Sequence, residues 1–214
     1  MDTLTKQISE KIKEPVIPEY MNDQGWSMFN SGGVEAEVGE FLYGLVRAMK
    51  PLRILETGTH QGIASSYMAL ALKDNWKGHL ETIEFEPIHL NKAKEKWTKL
   101  GVQDIITEYL ISSLEFNPSG EYDILFLDTE PQQRFTEFNK FYPYVKPGGF
   151  IIIHDLNEQL GARQSPWEDF VEKFGDKILD NEIQIINIPS PRGLTIIQKF
   201  SPSMGQWKLR TGKI

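Results

Sequence analysis

The sequence predicts an α/β fold built on a mostly parallel sheet. From Val34 onward, short apolar segments of strand character alternate with amphipathic, helix-like segments, a pattern typical of βαβ units. Only a turn rich in Pro and Gly separates the last two apolar segments, 182–188 and Leu194–Lys199. Two strands joined without a helix pair antiparallel, so we expect a hairpin at one edge of the sheet.

The predicted elements follow one another in a regular order. Residues 34–49 carry apolar side chains on one helical face, and Pro51 ends this helix. The pattern then predicts strands at 52–57, 79–85, 105–110, Tyr122–Leu127 and 150–153, and helices at 62–73, Pro87–Leu100, 134–144 and around 167–174. A Lys-Pro-Gly-Gly turn is expected just before the last of these strands.

Four lysines mark one face of the predicted helix Pro87–Leu100. Lys92, Lys94, Lys96 and Lys99 alternate with apolar positions. This spacing indicates a solvated helix face rather than a polyanion-binding patch.

Three segments are predicted: an N-terminal lead-in at 1–33, one α/β domain at 34–200 and a C-terminal tail at 201–214. Apolar residues at helical spacing predict a short amphipathic helix before Pro15, and turn-forming residues predict a loop from there to Gly33. The polar tail is expected to be disordered or to form an oligomer contact. A homodimer is therefore one possible assembly.

Composition excludes several classes of function. The 214 residues carry a formal net charge of -7, which disfavours a nucleic-acid partner. The chain has no cysteine, so disulfides, thiolate zinc sites, iron–sulfur clusters and a cysteine nucleophile are excluded. Its apolar runs are far shorter than the ~20 residues of a membrane span, and its charged N-terminus is unlike a signal peptide. We therefore expect a cytoplasmic protein without a membrane partner.

A glycine-containing turn follows the first strand of the domain. Gly58 and Gly62 lead into a helix, with Glu56 two residues before the first glycine. Glycine allows close approach of a ligand, and a helix start offers free N–H groups. The spacing matches neither the dinucleotide fingerprint nor a P-loop. A carboxylate at Glu56 would suit a ligand with a cationic end.

An acidic residue also ends the second strand. Glu84 lies about 20 residues beyond the glycine turn, where a carboxylate accepts hydrogen bonds from ribose hydroxyls. Glu86 is the weaker candidate because it precedes Pro87 and belongs to the start of the next helix. Together, the turn and this acid indicate a nucleoside ligand.

Three titratable residues follow the fourth and fifth strands. Asp128 follows one, and His154 and Asp155 follow the other. Because parallel strands end at one rim of a sheet, we expect these side chains to converge there. A carboxylate pair could hold a divalent cation, and a histidine could act as a general base.

These motifs together resemble the class I S-adenosylmethionine-dependent methyltransferases, and most closely the catechol and caffeoyl-CoA O-methyltransferases. The resemblance runs over residues 34–199 and rests on the segments FLYGLVRAMKP, LETGTHQG, TIEFEP, YDILFLD, VKPGGFIIIHD and IPSPRGLTII. It implies a Rossmann-like three-layer sandwich whose sheet has seven strands, the last antiparallel.

The resemblance also implies roles for individual residues. Glu56, Gly58 and Gly62 would hold the methionine end of S-adenosylmethionine, and Glu84 the ribose. The adenine would lie against Ser112 and Ser113, and Asp128 would also lie at the cofactor.

The sequence departs from the metal-dependent members of these families at two positions. Asp128 and Asp155 match two Mg²⁺ ligands, but Leu156 stands where an Asn is expected and Asn157 follows one residue later. Pro131 stands where the catechol-type enzymes have a catalytic lysine. His154 is then the substitute base.

The favoured function is O-methylation of a small-molecule hydroxyl. The alternatives are N-methylation, a NAD-dependent oxidoreductase and a non-catalytic cofactor-binding module on the same fold. The missing dinucleotide fingerprint counts against the oxidoreductase.

Overall fold

The computed structural model of the protein describes residues 3–18, 26–30, 32–156, 172, 175–177, 180, 182–188 and 190–200. The helices in these ranges are α1 (Leu4–Ile12), α2 (Ala36–Met49), α3 (Ile63–Asn75), α4 (Pro87–Leu100) and α5 (Pro131–Phe141). The strands are β1 (Ile17–Pro18), β2 (Ser27–Met28), β3 (Arg53–Thr57), β4 (His79–Glu84), β5 (Ile106–Leu110), β6 (Tyr122–Leu127), β7 (Val145–His154), β8 (Ile183–Ile188) and β9 (Leu194–Lys199).

Seven strands form one mostly parallel sheet in the order β5-β4-β3-β6-β7-β9-β8. The predicted α/β fold and its antiparallel edge hairpin are therefore confirmed. The contacts between residues divide the chain into two compact units, Met1–Phe116 and Asn117–Ile214.

In the first unit, β3 pairs in parallel with β4, and β4 with β5. Ile54, Leu55 and Leu80 on these strands are fully buried, as expected for parallel strands covered on both faces. Helix α4 begins with Pro87 and ends at Gly101, whose φ of 67° provides the left-handed cap that glycine adopts without strain. These local signals explain why its boundaries match the prediction.

In the second unit, β6 and β7 are parallel, and β9 is antiparallel to both β7 and β8. Ile124, Phe126 and Ile152 are fully buried. The last two strands thus form the hairpin expected from the absence of a helix between them.

The predicted turn at 146–149 lies instead inside strand β7. The ladder between β6 and β7 shifts its register between Tyr122 and Ile124, and Gly148 takes a φ of 82°. A Cβ added to Gly149 would lie 2.9 Å from the Asp123 carbonyl oxygen. The two glycines therefore form an irregularity within a long strand rather than a turn between elements.

Other predictions differ at their boundaries or lie outside the described residues. Helix α5 begins at Pro131, three residues earlier than expected, and a 3-10 turn at Tyr142–Tyr144 follows it. The segment expected to be a loop up to Gly33 contains the short antiparallel pair β1 and β2. Most of the helix predicted around 167–174, and the whole tail 201–214, lie outside the described residues.

The expectation of a wholly solvated lysine face on α4 is wrong for Lys96. Its side chain is buried and its Nζ lies 2.7 Å from Glu14 Oε1, while Lys99 Nζ donates to the carbonyl oxygen of Ile12 at 3.2 Å. The reason is that α1 contacts this face of α4, with Ile8 buried. A helix pattern alone could not show that a second helix covers it.

Among the described residues, no helix has the length and apolar character needed to cross a membrane.

Replacing Gly62 should destabilise the protein strongly. Gly62 has a φ of 78°, and an added Cβ would lie 2.7 Å from Ala93 Cβ and 2.9 Å from Ala93 Cα on α4. A left-handed non-glycine residue costs about 1–2 kcal/mol and overpacking about 1–3 kcal/mol. We therefore expect Gly62→Ala to lower the free energy of unfolding by about 2–5 kcal/mol, measured by urea denaturation.

Gly44 on α2 provides the matched control, since an added Cβ would have no atom within 4 Å. Because Ala is the better helix former by about 1 kcal/mol, Gly44→Ala should leave stability unchanged or raise it. Equal effects of the two substitutions would contradict this account of Gly62.

Candidate functional site

The turn between β3 and α3 has an unusual backbone. Gly58, His60 and Gly62 all have positive φ, at 81°, 46° and 78°. The N–H groups of Gly58 and Thr59 both donate to the carbonyl oxygen of Ile83, at 3.0 and 3.2 Å. The turn is thus tied to the end of β4, the neighbouring parallel strand.

The carboxylate of Glu84 organises this turn. Its Oε2 accepts the N–H of His60 at 2.6 Å, and its Oε1 accepts the N–H groups of Phe85 and Glu86 at 3.0 and 2.9 Å. The side chain is buried, whereas Glu86 is exposed. A carboxylate offers about four lone-pair sites, so Glu84 can still accept a bond from a ligand.

A buried acid lies on β3 just before the turn. Glu56 is fully buried, and its Oε2 accepts the hydroxyl of Thr82 at 2.5 Å. Thr82 also shares a hydrogen bond of 2.5 Å with Thr59. The parallel register places Glu56 directly opposite Thr82, so pairing of the two strands fixes the carboxylate beside the turn.

Ser112 and Ser113 follow β5 at the same end of the first unit. Ile111 N–H donates to the carbonyl oxygen of Glu84 at 3.0 Å, which joins this segment to β4. Ser112 Oγ accepts the N–H of Leu114 at 3.3 Å, and Ser113 is buried. All six cofactor candidates of this unit therefore lie at the carboxyl ends of β3, β4 and β5.

In the second unit, the structure brings Asp128, His154 and Asp155 together as predicted, with one ligand atom of each within 4.8 Å of the others. His154 Nδ1 lies 2.9 Å from Asp128 Oδ1 and 3.3 Å from Asp155 Oδ1. Because an ionised carboxylate only accepts, Nδ1 carries the hydrogen. His154 is completely buried, while the Asp128 side chain is 12% exposed.

Two arginines that no sequence motif indicated hold Asp155. Arg134 on α5 donates to Asp155 Oδ2 at 3.0 Å. Arg192, in the turn between β8 and β9, contacts Oδ2 at 2.7 Å and Oδ1 at 2.6 Å. Asp155 itself takes a φ of 60°, and its N–H donates to the Gly193 carbonyl oxygen at 2.9 Å. The segments RFTEF and SPRGL gave no hint of this pairing, since neither forms a recognisable motif.

The surroundings of Asp155 set its ionisation. Burial raises the pKa of this carboxyl group, but the nearby His154, Arg134 and Arg192 lower it, and the result is a pKa below its usual range. The carboxyl group of Asp155 is therefore ionised at neutral pH.

The charges around this cluster disfavour a divalent cation. The carboxylates of Asp128 and Asp155 are balanced by the guanidinium groups of Arg134 and Arg192, both within 4 Å of a carboxylate oxygen. At an effective dielectric constant of about 20, unit charges about 4 Å apart interact by about 4 kcal/mol, so a dication would meet substantial repulsion. Leu156, at the expected third ligand position, is buried and has no donor atom. Asn157 lies outside the described residues.

The chain is similar to known methyltransferases. A family model described as "Methyltransferase domain" matches residues 55–156. A protein of Mycobacterium sp. (strain KMS) named "Putative O-methyltransferase" is 24% identical over 174 residues, covering 76% of this chain and 73% of that protein. A protein of the same name from Mycobacterium marinum is 29% identical over 137 residues, covering 62% of this chain and 59% of that protein.

Solved structures show the same fold. An O-methyltransferase from Bacillus cereus in complex with SAH has a TM-score of 0.67 and 17% identity, covering 93% of this chain and 91% of that one. The O-methyltransferase TomG from Streptomyces achromogenes, in complex with SAM, has a TM-score of 0.66 and 18% identity, covering 94% and 91%. At these identities the likeness establishes the fold alone.

Removing the charge of Asp155 should destabilise the protein. Asp155→Asn leaves two guanidinium groups without their shared anion, and breaking a buried ion pair in this way costs about 3–5 kcal/mol. Because the folded-state pKa lies below the unfolded value, this contribution is present above about pH 4. This contribution is lost as the pH falls through the folded-state pKa. The difference in free energy of unfolding between the natural chain and the variant should therefore become smaller in acid.

Urea denaturation at neutral and acidic pH measures both effects. Asp123→Asn is the control, because Asp123 forms a partly exposed pair with Lys146 at 2.6 Å, and such pairs contribute about 0–1 kcal/mol. If the loss in free energy of unfolding caused by Asp155→Asn does not change with pH, the charge of Asp155 is not what stabilises the fold.

Proposed function

We propose that this chain, a class I S-adenosylmethionine-dependent methyltransferase, transfers the methyl group to a hydroxyl oxygen of a small acceptor molecule. The names of its relatives support oxygen as the accepting atom. The observation that carries the proposal is the positive-φ turn held by Glu84, with the buried Glu56 beside it.

The residues of the first unit fit the chemical groups of S-adenosylmethionine. The carboxylate of Glu84, with about one lone-pair site left after its three backbone hydrogen bonds, suits a ribose hydroxyl. A carboxylate at the buried Glu56 would suit the cationic methionine end, and Gly58 and Gly62 lie in the turn beside it. Ser112 and Ser113, following β5, would face the adenine. When bound, the cofactor supplies a methyl group made electrophilic by its positively charged sulfur.

In the second unit, we assign the proton-accepting role to Asp128. Asp128 is 12% exposed, whereas His154, the base expected from the sequence, is completely buried. Asp128 would take up the hydroxyl proton of the acceptor as its oxygen receives the methyl group that bound S-adenosylmethionine would supply. The Nδ1–H of His154 donates to Asp128 Oδ1 and so fixes the direction of its carboxylate. His154 is then a positioning residue.

Asp155 has a different role in this proposal. Its two oxygens are engaged by Arg134 and Arg192, so it holds the surrounding segments and accepts no proton. A Mg²⁺ ion has no step in this reaction, because the carboxylates expected to bind it already have cationic partners.

We expect the protein to bind S-adenosylhomocysteine and not NAD, as measured by calorimetric titration. In Glu84→Gln, the new amide group donates where the carboxylate accepted, so affinity for S-adenosylhomocysteine should fall by about 1.5–3 kcal/mol, the scale of charge-assisted hydrogen bonds. Since Glu84 also accepts three backbone N–H groups, the variant should melt at a lower temperature as well.

Glu86→Gln, at an exposed neighbouring position, should bind as the natural chain does. Tight NAD binding without S-adenosylhomocysteine binding would refute the proposed function. Equal losses in both variants would remove Glu84 from the ribose site.

Asp128→Asn should abolish methyl transfer while leaving cofactor binding intact. Loss of a general base lowers rates by about 10²–10⁴-fold, which can be followed as S-adenosylhomocysteine formation with a panel of phenols as acceptors. Asp123→Asn, which removes a carboxylate from a separate ion pair of the same unit, is the control and should keep its activity. Full activity in Asp128→Asn would exclude Asp128 as the base.

A further inference from the structure

We propose that the guanidinium group of Arg134 takes the place of a divalent cation among the carboxylates of Asp128 and Asp155, so that methyl transfer by this chain needs no metal ion. This inference rests on the proposed function. It concerns the residues of the second unit, which differ from the ligand set that the catechol-type resemblance implies.

Arg134 is surrounded by oxygen atoms much as a hard cation would be. Its NH1 donates to the carbonyl oxygens of His154 and Asp155, and its NH2 donates to that of Thr129. The same NH2 lies 3.0 Å from Asp155 Oδ2 and 3.6 Å from Asp128 Oδ1. Three carbonyl oxygens and two carboxylates therefore face a single positive group whose side chain is 2% exposed.

The position of Arg134 in the sequence makes this arrangement possible. It lies in the first turn of α5, which begins at Pro131, three residues after Asp128 at the end of β6. A helix that starts so close to the strand end carries the side chain back over the rim. The pairing with Asp155 then spans 21 residues of chain.

A second guanidinium group completes the charge balance. Arg192 contacts both oxygens of Asp155, through a hydrogen bond from its NH2 to Oδ2 and an ion-pair contact between its Nε and Oδ1. Two carboxylates and two guanidinium groups sum to zero formal charge before His154 is counted. A dication would have to displace Arg134 and leave it buried without its anions, which is strongly unfavourable.

For the reaction, the consequence is that the positive charge beside the carboxylates belongs to a side chain of the protein, whereas a metal ion could dissociate. The guanidinium is permanently charged and keeps the carboxylate of Asp128 close to a positive group without occupying both of its oxygens. Arg134 thereby acts as a positioning residue, and no bound ion or its ligand water is required.

The test uses Mn²⁺ as a probe, followed by its electron paramagnetic resonance signal. The natural chain should show no saturable Mn²⁺ binding in the millimolar range. Arg134→Gln retains the three ligand residues but lacks the central positive charge, so it should gain a site at least about tenfold tighter, equivalent to about 1.4 kcal/mol. Adding Asp155→Asn to Arg134→Gln should remove that site. Arg47→Gln, which removes a guanidinium group from α2, is the matched control and should gain none.

Saturable Mn²⁺ binding to the natural chain that is lost in Asp128→Asn would overturn the proposal. So would the absence of a gained site in a folded Arg134→Gln variant. If that variant does not fold, the measurement on the natural chain still decides, supported by S-adenosylhomocysteine formation in the presence of a chelator, which should be undiminished. Calorimetric titration with S-adenosylhomocysteine is independent of these readouts, so failure of the proposed function would be recognised separately.

Discussion

The buried ion pair between Arg134 and Asp155 is the interaction on which the candidate catalytic rim depends. Through it, the end of β7 contacts the first turn of α5, and Arg192 adds the turn between β8 and β9. Asp155 adopts a left-handed backbone that a non-glycine residue avoids, and the bonds to its side chain and N–H stabilise that conformation. Removing the charge of Asp155 would therefore weaken its contacts with both α5 and the turn between β8 and β9.

The first unit also contains a buried carboxylate at the end of a strand, but backbone N–H groups rather than arginines bind it. Glu84, also at the end of a strand, accepts three N–H groups, one of them from His60 in the positive-φ turn. A buried carboxylate is costly unless it is bonded, and here the bonds shape the loop that the cofactor would need. Fold and ligand binding therefore depend on the same carboxylate oxygens of Glu84.

Local signals explain what the sequence could predict. Helix α4 was bounded correctly by Pro87 and Gly101, and the residues after each apolar strand did gather at strand ends. What could not be predicted involves partners distant in the chain. Arg192 meets Asp155 across 37 residues, and Lys96 is buried because a separate helix covers it. The prediction of a turn at 146–149 was wrong because glycine allows the positive φ found in a strand irregularity as well as in a turn.

The degree to which each strand-end acid is already bonded decides what chemistry remains open to it. Asp155 has two cationic partners and a lowered pKa, so it is a poor proton acceptor and has no vacancy for a metal ion. Glu56 is fully buried on its strand and is suited to stabilising a cationic group rather than exchanging protons with solvent. Asp128 has one close hydrogen bond, from His154, and a more distant guanidinium group, and part of its side chain reaches the surface. Of these three carboxylates, only Asp128 combines a fixed direction with access from outside, and proton transfer from an acceptor hydroxyl requires both.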